Sequence, residues 1–595
     1  MKKRLLCASA TLASVALVSA CGGGDTPPPP PPPSATLPQL TPATAAPLVG
    51  TCDALLNFVY ASTTMVSAVS VPAGTLRNHN GNPPVQIPVG EHCRVEGRML
   101  DRTSPVDGQA YAIRFEMRLP TNWNGRFYYQ GNGGLDGNLR DAIGDFGGVP
   151  MTNALQKGFA VISSDAGHNN ESGQDPLFGV DPQARVDYGY GTVQKLTPLA
   201  KALIQRAYGK LPDRSYIGGT SNGARHAMVA AARLSDQYDG ILANSPGFNL
   251  PKSAAAQLYT AQQWRKVATD ETDLRTAFTV PERRLVANAI LARCDALDGL
   301  ADGMVQDIEG CRTAFNLFRD VPTCSGARDG PTVNPATCLS AAQKSAIDAM
   351  YYGPVNSRGE QLYATQPYDP GLVGNLWTSW KFTALADRDA PAVGVVFMSP
   401  PDATLVSGFQ TGADEATITR EFAFRFNFDI DYPKLFVTDG VYTESAMSFM
   451  TPPNPTNLAT LRDRGGKMIV IHGASDGPFS IDDTRNWYRA LNDSNGGEAN
   501  RFARFYRVPG MNHSRAGPAT DQYDSLEALI QWVEFGRAPD SILAQARGLG
   551  NPGGRNNELP ADWAPDRTRP LCPYPQVARY NGTGDIERAE NFSCR

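Results

Sequence analysis

Short apolar runs, each closed by turn residues and followed by a stretch of helical period, recur up to about residue 250 and again after about residue 455. Residues 111–119 alternate apolar and polar side chains, as a half-exposed strand does. Trp123-Asn124-Gly125 makes a turn, and the next strand, residues 126–130, runs into Gly131-Asn132-Gly133-Gly134. Residues 159–164 and 240–245 read as buried strands, and helical stretches near 193–208 and 225–234 flank a strand ending at Ser215-Tyr216-Ile217. Strands alternating with helices predict an α/β fold whose sheet is mostly parallel and covered on both faces. Residues 34 to about 90 carry no comparable pattern, so the sheet is expected to begin at residue 111. From Pro251 to about 455 the chain is helix-rich and irregular, with Trp264, Trp377 and Trp380, and is expected to be a lid inserted into the sheet domain. Strand grammar resumes at residues 467–473 and 503–508, and Trp532 lies in a last helix over 526–535.

At 595 residues the chain exceeds one ordinary core. The expected division is a signal over 1–20, a linker over 21–50, sheet domain over 51–250, lid over 251–455 and sheet domain again over 456–595. A net charge of −5 with mixed signs gives no reason to expect nucleic acid as a partner. Met1-Lys2-Lys3-Arg4 followed by a short apolar stretch is an export signal. Val18-Ser19-Ala20-Cys21 resembles a bacterial lipobox, with Cys21 as a lipid anchor and the run Pro27 to Pro33 as a stiff spacer; simple secretion is the alternative.

Of ten cysteines, Cys7 falls in the signal and Cys21 at the anchor. The rest are Cys52, Cys93, Cys294, Cys311, Cys324, Cys338, Cys572 and Cys594. In an oxidising compartment they are expected to close loops, each bridge worth about 2–4 kcal/mol. Sequential pairing is favoured because the intervening segments are fairly short and turn-rich; other connectivities stay open.

The candidate chemistry centres on Gly219-Thr220-Ser221-Asn222-Gly223. A serine with glycine two residues away on each side suits a tight strand-to-helix turn that exposes its hydroxyl for attack on an ester carbonyl. A Gly/Ser loop without chemistry is the bland alternative. Asp476 and His513 each come after a late strand, giving the order Ser, Asp, His of an α/β-hydrolase with the lid between the nucleophile and acid strands. Among six histidines His472 is the rival base, but its place directly after a strand suits a structural hydrogen bond. The N–H groups of Asn222 and of Asn132 in the glycine turn are the candidate oxyanion donors. A second motif, residues 295–304, spaces Asp295, Asp298 and Asp302 as a calcium loop would, with carbonyls of Leu300 and Met304 completing the set; a solvated acidic turn is the alternative.

With these residues in hand the chain resembles the tannase/feruloyl esterase family, and within it the branch acting on terephthalate monoesters. The resemblance runs over roughly residues 50–595, most specifically through residues 123–127, 181–185, 294–311, 428–431, 464–468 and 569–575. It implies hydrolysis of aromatic carboxylic esters, a calcium ion in the lid and the four sequential disulfides. The protein is expected to act as a monomer on a small aromatic ester, with a non-catalytic lipoprotein that binds aromatic ligands as the reading from another class. Two departures stand out. The family's cysteines beside the nucleophile and the histidine are here Thr220 and Ser514. Where a lid arginine pairs with the substrate carboxylate this chain has Leu405, with Gln410 in place of a serine; either carboxylate recognition is lost or Arg388, from another loop, replaces it. Trp380, Phe409 and Phe479 match the family's aromatic clamp positions.

Overall fold

The central sheet is built from nine strands in a computed structural model that describes residues 36–78, 85–169, 175–325 and 337–595. In chain order they are β1 (Thr63–Val71), β2 (His92–Thr103), β3 (Ala110–Pro120), β4 (Arg126–Gly131), β5 (Ala160–Ser164), β6 (Arg214–Thr220), β7 (Gly240–Asn244), β8 (Lys467–Gly473) and β9 (Ala503–Val508). Their order across the sheet is β9-β8-β7-β6-β4-β5-β3-β2-β1. The six strands from β9 to β5 run parallel, and β3, β2 and β1 are added antiparallel. The expected signal, Cys21 and the proline run lie outside the described residues.

The parallel strands are buried along almost their whole length, as strands covered by helices on both faces must be. The expected start of the sheet at residue 111 is wrong by two strands. β1 is an edge strand whose side chains are half-buried at best, so its apolar signal is faint. β2 alternates buried Val95 with the partly exposed Arg94 and Glu96, a pattern that polar residues disguise.

The helices that matter for the site are α1 (Thr192–Tyr208), α2 (Asn222–Arg233), α3 (Leu250–Arg265), α4 (Val280–Cys294), α5 (Ala403–Thr411), α6 (Ile481–Ser494) and α7 (Ser525–Phe535). Between β7 and β8, which pair directly with Gly240 opposite Lys467, the chain leaves the sheet and is helical and irregular. The inserted segment shares its apolar core with the sheet side of the molecule: Trp264, Trp377, Phe382 and Phe422 pack in one cluster with Phe178, Tyr188 and Phe479. Pro38–Arg595 forms one compact unit, and Met1–Leu37 is a separate one almost wholly outside the described residues. Among the described residues no helix is long and apolar enough to cross a membrane. The cysteines pair as Cys52–Cys93, Cys294–Cys311, Cys324–Cys338 and Cys572–Cys594, the sequential order.

Candidate active site

Ser221 stands between β6 and α2 with φ 64° and ψ −125°, a conformation that a side chain adopts only when its surroundings impose it. The constraint is backbone packed on backbone. A Cβ on Gly131 would lie 2.6 Å from the carbonyl oxygen of Gly223, and one on Gly219 or Gly223 would lie closer still to that of Gly131. The glycine turn after β4 therefore presses onto the turn that carries Ser221, and a Cβ on Gly133 would sit 3.7 Å from that of Ser221. The serine N–H is held by the carbonyl of Asn244 at 3.0 Å.

Asp476 and His513 come after β8 and β9, neighbours on the same half of the sheet. The Nδ1 of His513 is 2.8 Å from Oδ2 of Asp476, whose other oxygen accepts the N–H of Phe479 at 2.9 Å. Burial by itself would raise this carboxyl, but the facing His513 and His472 imidazoles outweigh it and hold the group well below the usual carboxylate range. The ring of His513 is flanked edge-on by Trp380 and Phe479, with centroids 5.2 and 5.3 Å away. Its Nε2 is buried without a hydrogen-bond partner among the described residues. His472, the rival, places Nδ1 2.9 Å from the Thr484 hydroxyl and Nε2 3.3 Å from Asp476.

Ser221, His513 and Asn132 line one cavity of about 220 Å3. The Asn132 side chain is pinned by donating to Ser163 and to the carbonyl of Ser164, and its backbone carbonyl accepts from the Asn222 amide at 3.2 Å. Asn222 opens α2, so its N–H is among those without an intrahelical acceptor. The Asn222 amide also donates to Asp136 at 2.7 Å, beside a 2.9 Å pair of Asp136 with His226. Burial pushes the Asp136 carboxyl up to about 7. The pattern of residues gives no sign of this buried pair, which ties the glycine turn to α2.

Residues 93–595 match the family described as tannase and feruloyl esterase. The chain belongs to that family. It is a carboxylic ester hydrolase on an α/β-hydrolase fold. It is 39% identical over 532 residues, 85% of each chain, to mono(2-hydroxyethyl) terephthalate hydrolase of Piscinibacter sakaiensis. In fold it resembles feruloyl esterase B from Aspergillus oryzae, with a TM-score of 0.68 at 22% identity over 92% of this chain and 100% of the other. It also resembles tannin acyl hydrolase from Aspergillus niger, with a TM-score of 0.61 at 17% identity over 91% and 94%.

In this tannase-family chain the other expected substrate contacts divide. Trp380 lines the cavity of Ser221 and His513, and Phe479 lines a tight space of about 10 Å3 on another side of Ser221, with Arg388 and Asp389. Arg388 lies over the Trp380 ring at 4.0 Å and is paired to Asp389, so its charge is already matched. Phe409 is half-buried on α5 against the inserted core and lines neither space. Gln410 is exposed and lines a different cavity of about 390 Å3 with Asp175 and Phe178. Leu405 is the buried residue of α5 itself.

In the acidic loop, Asp295 accepts N–H groups of Asp302, Gly303 and Met304, and Asp298 accepts that of Leu300. Asp302 is paired with Arg569. Burial, with Asp302 and Asp295 adding to it, pushes the Asp298 carboxyl up to about 7. Hard oxygens crowded by like charge suit a divalent cation in chemistry. No group of three or more His, Cys, Asp or Glu among the described residues is gathered closely enough to hold a metal ion.

Proposed function

We propose that the protein is an exported serine esterase that cleaves esters of aromatic carboxylic acids, with terephthalate monoesters of the mono(2-hydroxyethyl) kind foremost. The observation that carries this reading is one cavity lined by a strained serine and by an imidazole whose far nitrogen is free while its near nitrogen rests on a buried carboxylate. Such an arrangement does acyl transfer. The Ser221 hydroxyl gives its proton to Nε2 of His513 as it attacks the ester carbonyl. Asp476 fixes the tautomer that leaves Nε2 free to accept, and it stabilises the imidazolium that forms. The N–H groups of Asn222 and Asn132 receive the oxyanion. His513 then returns the proton to the departing alcohol, and water releases the acid by the reverse sequence. The relative at 39% identity supports a terephthalate acyl group; the likeness to feruloyl esterase and tannin acyl hydrolase keeps phenolic acyl groups as the second reading.

The test is a panel of mono(2-hydroxyethyl) terephthalate, methyl ferulate and methyl gallate under identical conditions. The terephthalate ester should show the highest kcat/KM, and preference for ferulate or gallate would hand the assignment to the second reading. The reading includes an active monomer with Cys21 as lipid anchor; the mass of the mature N-terminus decides the anchor. It also includes a structural calcium ion, for which Asp295, Asp298 and Asp302, not gathered as a metal-holding group among the described residues, would have to draw together with the carbonyls of Leu300 and Met304. Adding EGTA should lower Tm by several degrees and restoring calcium should reverse it; a Tm indifferent to both would remove the ion from the account.

A further inference from the structure

The cavity at Ser221 has a charged wall that the triad does not use. Arg140, Asp141, Asp145 and Arg515 line it together with Trp380 and Leu376. Asp141 is 2.8 Å from Arg118, a guanidinium that is also paired with Glu116 at 2.7 Å. Asp145 accepts the N–H of Gly147 at 3.1 Å and feels both Arg140 and Arg515. The wall thus carries two guanidinium and two carboxylate groups, with Asp136 also facing Arg140 and Asp521 also facing Arg515. Neither Arg140 nor Arg515 makes a hydrogen bond or ion pair of its own among the described residues. Arg515 is half-buried next to Ser514, and Arg140 is exposed at the rim.

Elsewhere around Ser221 no cation is comparably available among the described residues. Leu405 is buried and apolar, and the guanidinium of Arg388 is occupied by Asp389. Size permits a ring: the cavity holds about 220 Å3, and roughly 150 Å3 is enough to admit benzene.

Resting on the esterase reading above, we infer that Arg140 and Arg515 select esters carrying a free carboxylate, received on the triad's cavity wall instead of by the lid. A planar guanidinium offers parallel N–H groups to both oxygens of a carboxylate, and a half-screened cavity strengthens the attraction relative to bulk water. The carboxylate can sit on the acid half of the ester, as in a terephthalate monoester, or on the alcohol half, as in an ester of a hydroxy acid.

Three substrates separate these sources. Mono(2-hydroxyethyl) terephthalate carries the charge on the acyl side, carboxymethyl benzoate carries it on the alcohol side, and 2-hydroxyethyl benzoate carries none. One anionic ester should exceed the neutral one in kcat/KM by at least about tenfold, and the arm that does so names the source. Arg515→Gln and Arg140→Gln, on separate elements, should each shrink that ratio by about fivefold or more, chiefly through KM, and roughly 0.5 M NaCl should shrink it in the wild type. A ratio near one, or a ratio that survives both substitutions, overturns the inference while leaving the esterase reading intact. Hydrolysis of none of the three removes both.

Discussion

Ser221→Ala will lower kcat by roughly 10⁴- to 10⁶-fold on any ester the wild type cleaves, and will abolish labelling by a fluorophosphonate. The size of the effect comes from the Ser221 hydroxyl being presented, by the strained turn between β6 and α2, to the cavity shared with His513. Alanine keeps the Cβ and leaves the backbone contacts of Gly131, Gly219 and Gly223 untouched, so Tm should move by no more than a degree or two. Steady-state kinetics on one chromogenic aryl ester, with a thermal scan of the same sample, measures both. Turnover above one per cent of wild type in a folded variant would mean that the chemistry belongs to another group.

Asp476→Asn should cost about 10³- to 10⁴-fold in kcat with little change in KM. Asparagine can present its amide N–H to Nδ1, which turns the imidazole into the tautomer that protonates Nε2 and denies Ser221 its base. His472 does not repair this, because its Nδ1 is on Thr484 and it reaches His513 only through the same carboxylate. The substitution should also change acid stability. The folded-state pKa of Asp476 lies below its unfolded value, so the native protein binds this proton more weakly than the unfolded chain does. The resulting stabilisation is complete above about pH 4 and is lost as pH falls from there towards the folded value. The variant should therefore lose less stability than the wild type on acidification through that window. Equal acid limbs in the two denaturation curves, or more than a tenth of wild-type kcat, would count against the role given to Asp476.

The parts legible in the sequence are those whose chemistry is local. A positive φ at the serine, with glycines where two turns meet backbone to backbone, leaves a signature within five residues. Asp476 and His513 can be found because each comes soon after a buried apolar strand, and parallel strands deliver the residues beyond their ends to one edge. β1 escapes notice because an edge strand buries little, and β2 because Arg94 and Glu96 interrupt its buried positions. Phe409 and Gln410 are placed by counting along a segment that folds as α5, where counting does not say which way a side chain points. Arg388 over Trp380, Asp136 against His226 and the arginines of the cavity wall depend on residues that meet only after folding.

The mutual contact of Gly131, Gly219 and Gly223 bears on how this enzyme can be re-engineered. Any library that randomises the three positions explores sequences in which a methyl group has to wedge two loops apart, so almost every member is lost before selection begins. Diversity is better placed at Leu376 and Ile143, which line the same cavity from outside that three-glycine contact.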